Sequence, residues 1–265
     1  MTIKIITGFS NAGGSTVAFI NLTNALNKSG VDCILYGPHQ YHLDKCRADT
    51  MLNVRLEEDD SLIIHFFKTH WESRPTIKGK LIYSCHEKDI APMNTINYKI
   101  FDKIHFVSEN QFKWHNINYP HFILPNVLDE LKDEPKDMFP TAGIIGSIDR
   151  NKQTHISIKR ALDENFPFIY LFGKITDQQY YEDEVKPLID GYTVQPPMYI
   201  EDKQKMYNMV SDVFLSSLSE TWSYIVKECE LTGTTFHGTE VTKGNFEQNM
   251  TNDEIVESWK QELNI

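Results

Sequence analysis

The sequence predicts an α/β protein made of two Rossmann-like, doubly wound domains, and three observations lead there. Short apolar, β-rich runs alternate with longer stretches of helical periodicity along the whole chain. That alternation occurs as two series, one opening at Ile3 and the other at Ala142. Between them lies 129–140 (DELKDEPKDMFP), which is charged, holds two prolines, lacks periodicity and reads as an interdomain linker.

In the first series, residues 3–7 read as a strand that ends in the turn-rich loop 8–14 (GFSNAGG). A helix follows with Ala18, Leu22, Ala25 and Leu26 on one face, and Lys28-Ser29-Gly30 marks its end with a basic last turn and a glycine stop. A strand at 32–36 completes a β-α-β unit, which implies a parallel sheet. Further strands are expected at 62–67, 80–85, 103–107 and 121–124. The second series gives a strand at 142–146, a helix at 155–165 with Ile158, Ala161 and Leu162 on one face, and a strand at 168–172. Helices at 178–189 and 202–210, a strand at 212–215 and a helix from about Thr221 follow. Thr251 and Glu254 form a capping-box signature ahead of a last amphipathic run. The domains are therefore 1–130, 141–250 and a C-terminal helix, 251–265, that crosses back to the first.

Composition narrows the functional classes. The 265 residues are 40% hydrophobic and 12% aromatic, as in an ordered globular chain. No apolar run approaches the roughly 20 residues of a membrane span. The first eight residues read as a strand and not as a signal peptide, so a cytoplasmic location is expected. The four cysteines, Cys33, Cys46, Cys85 and Cys229, form no C-x-x-C pair, which predicts free thiols in a reducing compartment. A net charge of −11 argues against bulk binding to nucleic acid or membrane surfaces, but the charge is uneven. Residues 1–130 carry 13 basic and 14 acidic side chains, and 131–265 carry 13 and 23.

Three segments carry chemistry. In the loop 8–14, glycines let backbone approach a ligand and the following helix offers free N–H groups, which suits phosphate. It matches neither the dinucleotide fingerprint nor the P-loop, and turn glycines without a ligand read equally well. In 143–152 (GIIGSIDRNK), a strand ends in a small-residue turn bearing Arg150 and Lys152, cations that can neutralise a diphosphate leaving group. In 219–228 (SETWSYIVKE), a helix starting near Thr221 places Glu220 at its lip and Glu228 about two turns in, where a carboxylate can accept hydrogen bonds from a sugar diol.

Together these segments resemble the retaining GT-B enzymes of glycosyltransferase family 4. Gly13-Gly14 resembles the family's N-terminal double glycine, and 84–87 (SCHE) its strand-end histidine. The segment 106–109 (FVSE) is similar to its V-S-E stretch and 123–127 (ILPNV) to its V-I-P-N-G-V. Gly146 to Lys152 is similar to G-R-L-x-x-x-K, and Glu220, Glu228 and Gly233-Thr234 to E-x7-E followed by C-G-T-P. The likeness covers most of residues 1–240. Departures are Ser147 where the family has arginine, Ser223 and Val127 where it has glycine, and a short C-terminal end.

The resemblance implies a GT-B architecture with a cleft between its two domains, an acceptor domain first and a nucleotide-sugar domain second. Glu228 would hold the ribose; Lys152, Arg150 and the amides of Thr221, Trp222 and Ser223 the diphosphate; Gly13 and Gly14 line the donor loop. Glu220 and His86 would contact the transferred sugar, and the base would lie near Gly173 and Tyr199. The resemblance implies no metal and no cofactor, with the nucleotide sugar as substrate. The acidic run 57–60 (EEDD) is accordingly expected to be a solvated turn. His65 is expected in the core or on the surface, and Cys85 faces away from His86 because neighbours on a strand alternate.

For the acceptor, residues 68–80 carry four cations and one acid, with Trp71 among them. Lys68, Arg74, Lys78 and Lys80 suit phosphates and Trp71 suits a base, so DNA is one candidate partner and an ordinary solvated loop the alternative. The runs 8–26 (GFSNAGGSTVAFINLTNAL), 36–46 (YGPHQYHLDKC) and 143–158 (GIIGSIDRNKQTHISI), with the short length, also resemble small bacteriophage glycosyltransferases, some of which modify hydroxymethylated cytosine in DNA, including by arabinosylation. The alternatives are a glycan, lipid or small-molecule acceptor, or a non-catalytic nucleotide-sugar-binding module. A dinucleotide oxidoreductase is disfavoured because no G-x-G-x-x-G opens the first helix.

Overall fold

The computed structural model describes residues 1–8, 13–37, 45–65, 73–86, 98–136, 139–243 and 250–265. They divide into two units, 1–128 with 248–265, and 129–247.

The first unit is built on a seven-stranded, wholly parallel sheet of β1 (Ile3–Thr7), β2 (Cys33–Gly37), β3 (Ala48–Thr50), β4 (Ser61–His65), β5 (Leu81–Cys85), β6 (Lys103–Phe106) and β7 (His121–Ile123), in the order β3-β2-β1-β4-β5-β6-β7. The order reverses between β1 and β4. At such a switch point the loops leave in opposite directions and open a crevice beyond the carboxyl ends of the strands.

Strand parity assigns the two faces. Ile3 and Ile5, Ile63 and Ile82 point to one side, where they pack with Phe19, Leu22 and Leu26 of α1 (Gly14–Lys28) and with Ile255, Val256 and Trp259 of the C-terminal helix (Asn252–Leu263). Ile6, Leu62, Ile64, Tyr83, Ile104 and Phe106 point to the other. Both faces are covered, so the central strands are mostly apolar and their few polar side chains are buried. Asn27 ties α1 to β2 by donating to the Cys33 carbonyl (2.8 Å) and accepting from its N–H (3.1 Å). The helix stops at Gly30, whose φ of +86° is open to glycine at little cost. The C-terminal helix carries the reciprocal capping box of Thr251 and Glu254.

The second unit has a four-stranded parallel sheet of β8 (Thr141–Ile145), β9 (Phe168–Phe172), β10 (Asp212–Phe214) and β11 (Thr235–His237), ordered β11-β10-β8-β9. Its helices include α3 (Thr154–Asp163), α4 (Lys203–Asn208), capped by the Asp202 carboxylate, and α5 (Tyr224–Leu231); the short α2 (Glu109–His115) belongs to the first unit. Here the switch point lies between β8 and β10.

Several expectations are corrected. The helix expected over 178–189 breaks into Gln178–Tyr180, a wide turn Tyr181–Val185 and a tight turn Lys186–Leu188; Pro187 has no N–H to give and its ring crowds the preceding turn. The expected linker opens the second unit. Residues 129–136 lie against the second unit, with Lys132 N–H donating to Gln204 (2.9 Å), Asn208 donating to Glu134 (2.7 Å) and Leu131 packed near Met206. The acidic turn is only partly solvated. Asp59 pairs with the N-terminal ammonium, whereas Asp60 is buried and accepts from Lys4, itself buried on β1. An ionised lysine in mid-strand needs such a counter-charge. Strand β3, with the sequence Ala-Asp-Thr, has too little apolar patterning to announce itself.

All four cysteines are free thiols. Among the described residues no helix is long and apolar enough to cross a membrane, and no group of three or more His, Cys, Asp or Glu converges as a metal site.

Candidate functional site

At the switch point of the second unit, the loop after β8 is held by backbone geometry. Gly146 takes a φ of +132°, and a Cβ on Gly173 would come within 1.7 Å of the Gly146 carbonyl oxygen, so both positions demand glycine. The aliphatic stem of Lys152 passes over Gly146, and its Nζ lies 2.6 Å from Glu220 Oε1. Asp149 fixes the turn by accepting from the Lys152 N–H (2.9 Å) and from Ser147 Oγ (2.5 Å). Ser147, where the resembled family has arginine, is thus a turn-forming residue here. Arg150 is 64% exposed and turned to Asp177 (3.1 Å) and the ring of Tyr180. Lys152 is the cation the loop aims at Glu220.

The facing loop runs from β10 to α5. The helix begins at Tyr224, three residues later than expected, so Glu228 lies one turn in and not two. Ser223 holds the cap position without a side-chain cap bond. Its hydroxyl, that of Ser217 and that of Tyr224 are buried and have no hydrogen-bond partner. Buried hydroxyls are normally satisfied, so the Ser223 hydroxyl at the cap of α5 is an exception among the described residues. Trp222 is buried and packs edge-on to Tyr224 (4.9 Å); Thr221 is half-buried.

Glu228 is 2% exposed, and both its oxygens are engaged: Oε1 by Lys203 Nζ (2.6 Å) and Oε2 by Tyr207 OH (2.7 Å). Lys203 also bonds Asp129. Burial pulls the Lys203 pKa down, but the two carboxylates outweigh it and set it above the ordinary lysine value. Burial, and next Glu228, pushes the Tyr207 phenol well up. Sequence reasoning missed Lys203 and Tyr207 because their partner lies 25 and 21 residues away on another helix. At the expected base position, Gly173 N–H donates to the Met198 carbonyl (2.9 Å), which brings Gly173 beside Tyr199, a half-exposed ring with Lys174 Nζ 4.5 Å from its centroid.

In the first unit, Gly13 caps α1 and Gly14 opens it, with free space where a Cβ of Gly14 would stand. Residues 9–12 of that loop lie outside the described residues, as does Glu87. His86 follows β5 on the α1 side of the sheet, the parity of Ile82 and Ser84. His65 and His105 share that side: His65 and His86 are 5.1 Å apart between ring centroids, and His86 and His105 are 5.9 Å apart. Phe19 covers His86 (4.7 Å) and Trp259 covers His105 (4.7 Å). Burial drives His65 and His105 down to about 4 and His86 well below its ordinary value. His65 is a core residue, as expected. Cys85 points to the other side, toward His115 (3.5 Å) and Gln111.

The expected acceptor cations are not brought to this site. Lys68 and Trp71 lie outside the described residues. Arg74, Lys78 and Lys80 precede β5 and sit at the amino ends of the strands, opposite His86. Arg74 is spent on Asp102 (2.9 Å) and the carbonyls of Gly79 and Ile100, and Lys78 pairs with Glu58 (2.9 Å).

No family model matches the chain, and no curated protein matches it. Solved structures do. TarM superposes with a TM-score of 0.72 at 9% identity, over 100% of this chain and 92% of that one. The pneumococcal O-GlcNAc transferase GtfA, solved with UDP and GlcNAc, gives 0.69 at 9% over 99% and 91%. A sucrose-phosphate synthase from Thermosynechococcus elongatus gives 0.69 at 13% over 100% and 90%. At such identities the likeness establishes the fold: two parallel-sheet α/β domains of the kind found in GT-B glycosyltransferases.

Proposed function

We propose that the chain is a glycosyltransferase that moves a sugar from a nucleoside-diphosphate donor, a UDP-sugar, to a hydroxyl acceptor. The observation that carries this reading is the Lys152–Glu220 pair at 2.6 Å, set at the sheet's switch point beside the N-terminus of α5 and its unpartnered hydroxyls. Lys152 and the helix N–H groups stabilise the departing diphosphate, Glu228 receives the ribose hydroxyls, and Glu220 and His86 attend the transferred sugar. The UDP-bound and sugar-bound state of GtfA supports the donor class. Retention of anomeric configuration rests on the sequence resemblance to family 4. The charge at the diphosphate is met by Lys152 and the helix, so transfer needs no divalent metal and survives EDTA.

For the acceptor, hydroxymethylated cytosine in DNA is the reading to test first. It rests on the near-neutral first half of the chain and on the likeness to phage enzymes, and it draws nothing from Arg74, Lys78 or Lys80. A target base in a duplex would have to be flipped out. A thermal-shift screen of nucleotides and nucleotide sugars tests the donor, because a ligand of the native state raises its stability. Incubation of hydroxymethylcytosine DNA with UDP-sugars, followed by nucleoside mass spectrometry, tests the acceptor. Nucleotide-sugar binding with neither hydrolysis nor transfer would instead establish a non-catalytic binding module.

A further inference from the structure

The buried histidines of the first unit form a hydrogen-bond chain whose proton positions are dictated from one end. The Leu124 carbonyl can only accept, so His105 Nε2, 2.9 Å away, carries a proton. Burial keeps that ring neutral, which leaves a lone pair on its Nδ1. Ser84 Oγ lies 2.8 Å from this nitrogen and gives it the single hydroxyl proton. Ser84 Oγ can then only accept from His86 Nε2, at 3.1 Å, so that nitrogen holds the His86 proton. Since burial and the neighbouring rings keep His86 neutral as well, its Nδ1 is a bare lone pair. No described residue bonds to that nitrogen. The ring lines a small cavity with Phe19, Asn126 and Trp259, with room for about one water. His65 has the opposite tautomer, for its Nδ1 faces the Ser84 carbonyl at 2.9 Å.

We infer that Ser84 and His105 are positioning residues that lock His86 as the Nε2-protonated tautomer, so that its Nδ1 accepts a hydrogen bond from a hydroxyl of the sugar substrate. A phosphate oxygen also only accepts at neutral pH and is disfavoured at that nitrogen. The role in transfer rests on the glycosyltransferase reading above; the tautomer chain does not.

Long-range proton–nitrogen NMR on the full chain with 15N-labelled histidine reads which ring nitrogen is protonated, with assignment by single His→Gln variants. At pH 7.5, His86 and His105 are expected as Nε2-protonated and His65 as Nδ1-protonated. In Ser84→Ala, His86 loses its lock and averages between tautomers while His105 keeps its own; Ser84→Thr restores the lock. Should Ser84→Ala fail to fold, His105→Phe, which removes the group that receives the serine proton, takes its place. A proton on His86 Nδ1 in the parent chain, or an unchanged His86 tautomer in the variant, overturns the chain of bonds. In the transfer assay, Ser84→Ala lowers kcat about tenfold with the donor KM unchanged, the effect of one misdirected hydrogen bond, and Ser84→Thr recovers it. An unaltered kcat overturns the positioning role. A parent chain that transfers sugar from no UDP-sugar defeats the glycosyltransferase reading, and the NMR result still decides the tautomers.

Discussion

The ammonium of Lys203 lies 2.6 Å from Glu228 Oε1, deep enough that the carboxylate is only 2% exposed. A buried charge pair of this kind matters most when one partner is removed, because the other is left ionised and dry. Lys203→Met strands both Glu228 and Asp129 and is expected to cost about 3–5 kcal/mol of stability, read by urea denaturation. The Lys203 pKa is raised in the folded chain, so its contribution is complete below the ordinary lysine value of about 10.4 and fades only as pH climbs through the folded value. A Lys203→Met protein as stable as the parent at pH 7 would show that the pair contributes nothing.

Glu228→Ala tests the ribose contact. The substitution removes an acceptor from Tyr207 as well as from the ligand, and UDP affinity is expected to fall by about 1.5–3 kcal/mol. Calorimetry on a folded variant gives the answer, and unchanged affinity removes Glu228 from the donor site.

Lys152 should act on phosphate and not on the nucleoside. Its side chain is 22% exposed and its Nζ is bonded to Glu220, so it reads as a charge held for a ligand at the strand end. In Lys152→Met, UDP should bind about tenfold or more weakly while uridine binding stays the same. Parallel losses for UDP and uridine would mean that the loop had collapsed.

The amino-end location of Lys78 and Lys80 gives a further test. Ligands of open α/β sheets bind beyond the carboxyl ends of strands, so replacing both lysines by Ser should leave donor hydrolysis and transfer unaltered. Transfer that falls while donor hydrolysis holds would restore an acceptor role for this edge.

The strands were legible because they are buried on both faces and therefore read as continuous apolar runs; Ile3–Thr7 was placed to the residue. The exception, Ala48–Thr50, is a short edge strand, where only one side needs pairing. Helix ends were less legible: Thr221 and Trp222 form bends and Ser223 is extended, in a loop that buries Trp222, so the helix opens only at Tyr224. Glu220, Glu228 and Lys152 could be singled out from spacing. That Lys152 meets Glu220, 68 positions on, could not. Nor could the engagement of Glu228 by Lys203, since local periodicity does not encode which side chains from separate elements converge. The histidine cluster was in principle readable. His65, Ser84, His86 and His105 all share parity with the Ile63–Ile82 face, once the strands are aligned in register.

Those histidines also predict an acid-labile first unit. Burial holds His65 and His105 at about 4, whereas in the unfolded chain each titrates near 6.5. Between those values the unfolded chain binds protons that the folded chain refuses, so stability rises with pH across the window and drains away as pH falls through it. Each histidine contributes a slope of about 1.4 kcal/mol per pH unit there, and His86, also depressed by burial, adds in the same direction. Urea denaturation at pH 7.5, 6 and 5 should show a steep loss. His105→Gln, which keeps a donor for the Leu124 carbonyl but removes a titrating ring, should show a shallower one. Stability that is flat between pH 7.5 and 5, or a variant slope equal to the parent's, would mean that these rings take up protons in the folded state and that the neutral hydrogen-bond chain through Ser84 does not exist.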